Sequence, residues 1–124
     1  MPVLATSPEP THELHGAAFT SLATPTLGDA PVSVWKVRLQ PGVPGVSHHL
    51  TRSEVIVVLS GSASARIGDT SHQVAAGQVI VVPADVPFLL EATGSQPFEA
   101  LCVLPLGGQA VTACGIPFTP PWAA

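Results

Sequence analysis

Gly42-Val43-Pro44-Gly45-Val46-Ser47-His48-His49-Leu50-Thr51-Arg52-Ser53-Glu54-Val55-Ile56-Val57-Val58-Leu59-Ser60-Gly61 is the stretch from which the fold can be read. It opens on a turn, because proline and glycine alternate over residues 41–45. A histidine pair and a short polar loop follow. Residues 54–60 are then almost continuously apolar, as in a strand covered on both faces. Gly61 permits the next tight turn.

The same grammar continues on either side. Fourteen prolines and eleven glycines punctuate short runs of valine, isoleucine, leucine and threonine, and no segment keeps a helical period. Strands are expected over residues 17–24, 32–40, 46–50, 54–60, 63–67, 71–75, 78–82, 86–92 and 98–104. In residues 32–40, Lys36 and Arg38 share one face while Trp35, Val37 and Leu39 share the other, which faces inward. Gly68-Asp69 between two such runs is a hairpin signal. The chain therefore reads as all-β, a sandwich or barrel. Its 124 residues suggest one domain, with an N-terminal arm over 1–16, a barrel over 17–116 and an extended proline-rich tail over 117–124.

Composition narrows the function classes. Hydrophobic residues make up 46% of the chain and charged ones only 10%, against roughly 25% in an average soluble domain. A surface so poor in charge favours burial against a second copy, and a homodimer is the expected assembly. Net charge is −4, and the four basic residues, Lys36, Arg38, Arg52 and Arg66, form no run. Neither nucleic acid nor an anionic membrane is an expected partner. The first residues carry no basic region and no apolar stretch, so a cytoplasmic location is expected. Cys102 and Cys114 lack metal or redox spacing and read as free thiols.

The glycine and proline framework resembles the cupin superfamily, in its small single-domain form. The first motif of that superfamily runs Gly, five residues, His-x-His, three or four residues, Glu, six residues, Gly. Here Gly42 plus five residues reaches His48, and Glu54 plus six reaches Gly61. The second motif runs Gly, five residues, Pro-x-Gly, two residues, His, three residues, Asn. Here Gly77 plus five residues reaches Pro83, Pro83-Ala84-Asp85 stands for Pro-x-Gly, Phe88 stands for the histidine and Ala92 for the asparagine. The resemblance covers roughly residues 30–105. It implies a cupin-type double-stranded β-helix, a jelly-roll-like barrel, with both motifs on adjacent inner strands. It also implies a site that in typical members binds a metal through three histidines and the glutamate.

That metal motif is incomplete here. Counting from Gly42, His48 fills the first histidine position and Leu50 the second. Counting back from Glu54, His49 fills the second and Ser47 the first. Neighbouring side chains on a strand point to opposite faces, so His48 and His49 share the interior only across a bulge. Intact glycine spacing favours His48, with Leu50 then adding to an apolar pocket. Trp35, His48, Leu50, Glu54, Ile56, Phe88 and Cys102 are the candidate pocket lining. His48 and Glu54 are expected to form a hydrogen-bonded buried pair in a barrel without its metal. His48, His49 and Glu54 are the alternative ligand set for Fe, Mn or Zn.

Other candidates read as structural. His12-Glu13-Leu14-His15 has its histidines three apart, against four in a zinc-protease helix, and reads as a solvated arm. His72 follows a hairpin turn, and Arg52 reads as a surface residue that could alternatively reach the barrel mouth. The functional reading is a binding module whose apolar pocket holds a small-molecule ligand, with no resident cofactor. The alternative is a metal-dependent enzyme, such as a dioxygenase, isomerase or decarboxylase. A structural dimer partner is a third class.

Overall fold

A computed structural model of the chain describes residues 3–124. Among these residues eleven strands carry the fold: β1 (His12–Leu14), β2 (Ala17–Ala23), β3 (Val32–Leu39), β4 (His49–Leu50), β5 (Glu54–Ser60), β6 (Ser62–Ile67), β7 (Thr70–Ala75), β8 (Val79–Val82), β9 (Phe88–Thr93), β10 (Phe98–Pro105) and β11 (Ala110–Val111). Among the described residues there is no α-helix, and no helix is long and apolar enough to cross a membrane.

A six-stranded sheet runs in the order β1-β2-β3-β10-β5-β8, a three-stranded sheet in the order β7-β6-β9, and β11 pairs with β4. β10 is antiparallel to both β3 and β5, so strands distant in sequence lie side by side. This is the connectivity of an all-β jelly-roll-like barrel.

Strand alternation supplies the core. Trp35 and Val37 of β3, Ile56 and Val58 of β5, and Phe98, Ala100, Cys102 and Leu104 of β10 are buried, while their chain neighbours are more exposed. Ala63 and Ala65 of β6 with Phe88 and Ala92 of β9 close the cluster from the other sheet. Each large side chain of this set contributes about 1.5–3 kcal/mol by burial. On the outer face, register aligns Val34, Val103, Val55 and Val81 in one row across four strands. Val79 and Val81 there are 56% and 61% exposed.

Two turns explain the motif spacing. Gly61 sits at φ +75°, and a side chain would run into the carbonyl of Pro97. Asp85, at the position where Pro-x-Gly has its glycine, adopts φ +63°. Aspartate is among the few residues that tolerate that region. Its N–H donates to the Leu50 carbonyl at 2.7 Å, tying the second motif to the first.

The ends depart from expectation. Residues 12–14 of the N-terminal arm are a sheet strand, because His12, Glu13 and Leu14 pair with Phe19, Ala18 and Ala17. The proline-rich tail is not extended throughout. Phe118 bridges to Ala110, and Pro121–Ala123 close in a 3-10 turn that begins on proline, where a missing N–H costs nothing. The Ser21 hydroxyl donates to the Trp122 carbonyl at 2.7 Å, and the Ser33 hydroxyl to that of Ala123. The Trp122 ring stacks on Phe19 with centroids 3.7 Å apart and planes 4° from parallel.

Candidate functional site

The barrel holds a half-open cavity of about 370 Å³. Trp35, His48, Leu50, Glu54, Ile56, Phe88 and Cys102 all line it. They come from five strands and one bridge, and the register explains their convergence. Cys102 faces Trp35 across one ladder and Ile56 across the other. Glu54 opens β5, one inward step from Ile56. His48 and Phe88 exchange backbone hydrogen bonds of 3.1 and 2.7 Å, which sets the two motifs side by side.

The histidine pair separates. His48 and Leu50 line the cavity, whereas His49 pairs with Val111 and is not among the lining residues. The β4–β11 pairing is in plain register, so alternation sends the intervening side chain to the other face. The His48 ring packs on Phe88 at 4.3 Å between centroids, tilted by 50°. Its Nδ1 lies 2.8 Å from the Val46 carbonyl oxygen. A carbonyl only accepts, so Nδ1 carries the proton and Nε2 is left as an acceptor. Burial lowers the pKa of this imidazole, the nearby His49 adds to the effect, and the Val46 bond opposes it.

Glu54 is 4% exposed. Among the described residues its carboxyl group has no hydrogen-bond donor, and burial alone pushes its pKa up to about 8. The expected hydrogen-bonded pair with His48 is not formed: the His48 ring bonds through Nδ1 to the Val46 carbonyl, and Nε2 has no partner among the described residues. Burial, with Glu54 second, raises the Cys102 thiol well above its usual range. The thiol stays protonated and acts as a small apolar filler.

The metal that the cupin resemblance implies finds no fitting donor set here. Two of its four ligand positions, Leu50 and Phe88, are apolar. Among the described residues no group of three or more histidine, cysteine, aspartate or glutamate side chains is placed to hold an ion. His49, proposed from sequence as the third ligand, is outside the cavity.

The sequence leads one to expect the aromatic tail across the barrel or a partner subunit, but it did not name the tail side chains as cavity lining. Phe118, Pro120 and Trp122 from the tail, with Leu14 and His15 from the N-terminal segment, also line the cavity. The signal was present, since a proline-rich tail carrying two aromatic rings must cover apolar surface to keep them dry. Arg52 and His72 are exposed and outside the lining. Cys114 is an exposed free thiol and Cys102 a buried one.

Comparison with known proteins agrees with this architecture. A search of curated proteins finds no match. Among solved structures, hazelnut (Corylus avellana) vicilin superimposes with a TM-score of 0.72 at 17% identity, over 84% of this chain and 34% of that one. Salicylate 1,2-dioxygenase from Pseudoaminobacter salicylatoxidans, crystallised with gentisate, gives 0.71 at 20% identity, over 86% of this chain and 31% of that one. A cupin-like protein from Thermotoga maritima gives 0.70 at 18% identity, over 77% of this chain and 74% of that one. The chain thus spans about a third of the vicilin and dioxygenase chains, and likenesses at these identities concern the fold. The family model described as "Cupin domain" matches residues 35–104, more than half of the chain. With both motifs on paired neighbouring strands around one cavity, the chain belongs to the cupin family.

Proposed function

We propose that this barrel is a small-molecule binding module whose metal centre has been replaced by an apolar pocket. One observation carries the reading: a cavity of about 370 Å³ in which Phe88 and Leu50 occupy ligand positions of the family's metal site. That volume lies within the about 300–1,000 Å³ of small-molecule pockets, and apolar walls with a few polar groups are their usual composition. Here the polar groups are chiefly His48 and Glu54. The dioxygenase in the comparison was crystallised with gentisate, an aromatic acid, which supports a barrel of this shape admitting a single ring. The metal-dependent alternative lacks ligands, since His49 and Phe88 cannot serve.

Both tryptophans of the chain, Trp35 and Trp122, line the cavity, so intrinsic fluorescence reports its occupancy. Titration with toluene is expected to change that emission saturably, with one site per chain. A strictly linear response, the same as that of free tryptophan, contradicts the proposal.

A further inference from the structure

Glu54 has its hydrogen-bonding capacity unspent. Its side chain is 4% exposed, faces the cavity, and among the described residues receives no donor and reaches no acceptor. No carboxyl oxygen of Glu54 is sealed away from the cavity, so its hydrogen bond is left for whatever occupies that cavity. No lysine or arginine lines the cavity, since Lys36, Arg38, Arg52 and Arg66 all lie outside its walls. The carboxyl group therefore has no lysine or arginine as counter-ion and is best satisfied as an acid that donates its proton to an oxygen. His48 complements it on the same cavity, because its Nδ1 is held by the Val46 carbonyl at 2.8 Å and its Nε2 is left to accept.

We infer that the cavity takes a small, uncharged, ring-bearing molecule that presents one hydroxyl or carbonyl oxygen to Glu54, of which a simple phenol is the type. The inference rests on the reading of the barrel as a binding module and names the ligand class for that site. Ring character follows from the aromatic walls, Trp35, Phe88, Phe19 and Trp122 among them. A hydrocarbon fills the walls but leaves the acid unsatisfied. An anionic ring brings a charge that no lysine or arginine in the cavity meets. A protonated amine requires Glu54 to ionise in an apolar site before the pair can form. A hydroxyl accepts from the Glu54 O–H and keeps a proton for an acceptor such as His48 Nε2.

The test is isothermal titration calorimetry of the full chain with four probes of matched size, namely toluene, p-cresol, benzylamine and benzoate. The wild type, Glu54→Gln and Glu54→Leu are compared. In the wild type, p-cresol is expected to bind about ten-fold tighter than toluene, the ratio that one satisfied buried hydrogen bond yields. Benzylamine and benzoate are expected to bind more weakly than p-cresol. Glu54→Leu is expected to remove the p-cresol preference while toluene binding persists, and Glu54→Gln, whose amide still donates, to retain most of it. Equal affinity for toluene and p-cresol in the wild type overturns the inference and leaves the binding module standing. So does a preference that survives in Glu54→Leu, or benzylamine or benzoate as the tightest probe. Absence of binding by all four probes overturns both readings. The wild-type ranking and Glu54→Gln decide the matter should Glu54→Leu not fold.

Discussion

Replacing Glu54 by glutamine should make the protein more stable at neutral and alkaline pH, and by an amount that changes with pH in a defined way. In the folded chain burial pushes the Glu54 carboxyl up to about 8, against an ordinary 4.5. A folded value above the unfolded one means that the native state holds a proton the unfolded state has released. The stabilisation tied to the neutral acid is thus complete below about pH 4.5 and is lost as pH rises towards about 8. At about 1.36 kcal/mol per pH unit, the full interval is worth roughly 5 kcal/mol. His48 acts in the opposite sense. Its lowered pKa makes protonation destabilising, so stability falls as pH drops below the ordinary histidine value of 6.5. The two effects oppose each other below that value, and the clean window lies between it and about pH 8. There the wild type should lose about 2 kcal/mol, or about 8 °C in melting temperature for a chain of this size, while Glu54→Gln stays nearly flat. Urea unfolding and thermal melts of both proteins at half-unit pH steps measure this. Parallel wild-type and variant curves across that window refute the claim that Glu54 is a buried, unpartnered acid.

Phe88→His restores the imidazole that the family's second motif carries. It should destabilise the protein without metal by about 2–4 kcal/mol, because a polar ring replaces a core aromatic. Added Zn²⁺ or Co²⁺ should then raise its melting temperature and leave the wild type unchanged, about 2.7 kcal/mol being recovered at 100 times Kd. Trp122→Ala removes the ring stacked at 3.7 Å on Phe19 and should cost about 2 kcal/mol, with weaker toluene binding because a cavity wall is lost. The homodimer expected from low charge would bury the row Val34, Val103, Val55 and Val81. Val81→Glu, at a position 61% exposed in the single chain, should then give a monomer by light scattering, with an unchanged melting profile for the barrel at low concentration.

How much of this was legible follows from which contacts are local. Gly42, Gly61 and Gly77 all take positive φ, so their spacing marked turns whose positions fix the strands between them. The alternation of Trp35, Val37 and Ile56 with polar or less buried neighbours gave the inward faces, and the glycine spacing brought His48 and Leu50 to the same wall. The hydrogen bonds were not legible. His48 spends its proton on Val46, two residues upstream, a contact set by how the chain enters β4. Two-residue strands such as β4 and β11 have no periodicity to read, and their pairing depends on residues about 60 positions apart. Which side chains the tail meets was hidden for the same reason. Trp122 meets Phe19, and the Ser21 and Ser33 hydroxyls meet the Trp122 and Ala123 carbonyls, across nearly the whole length of the chain. Asp85 is a milder case, since its left-handed backbone shows the turn intact although the glycine letter is gone.

The most direct test of a barrel organised around a neutral acid in place of a metal is the metal content of the chain. The protein would be purified without a chelating tag from medium supplemented with iron, manganese and zinc, then analysed by elemental mass spectrometry. The structure leads us to expect far less than one equivalent of any transition metal and no change in melting temperature after chelation. One equivalent of iron, manganese or zinc, lost together with stability in Glu54→Ala, would contradict it.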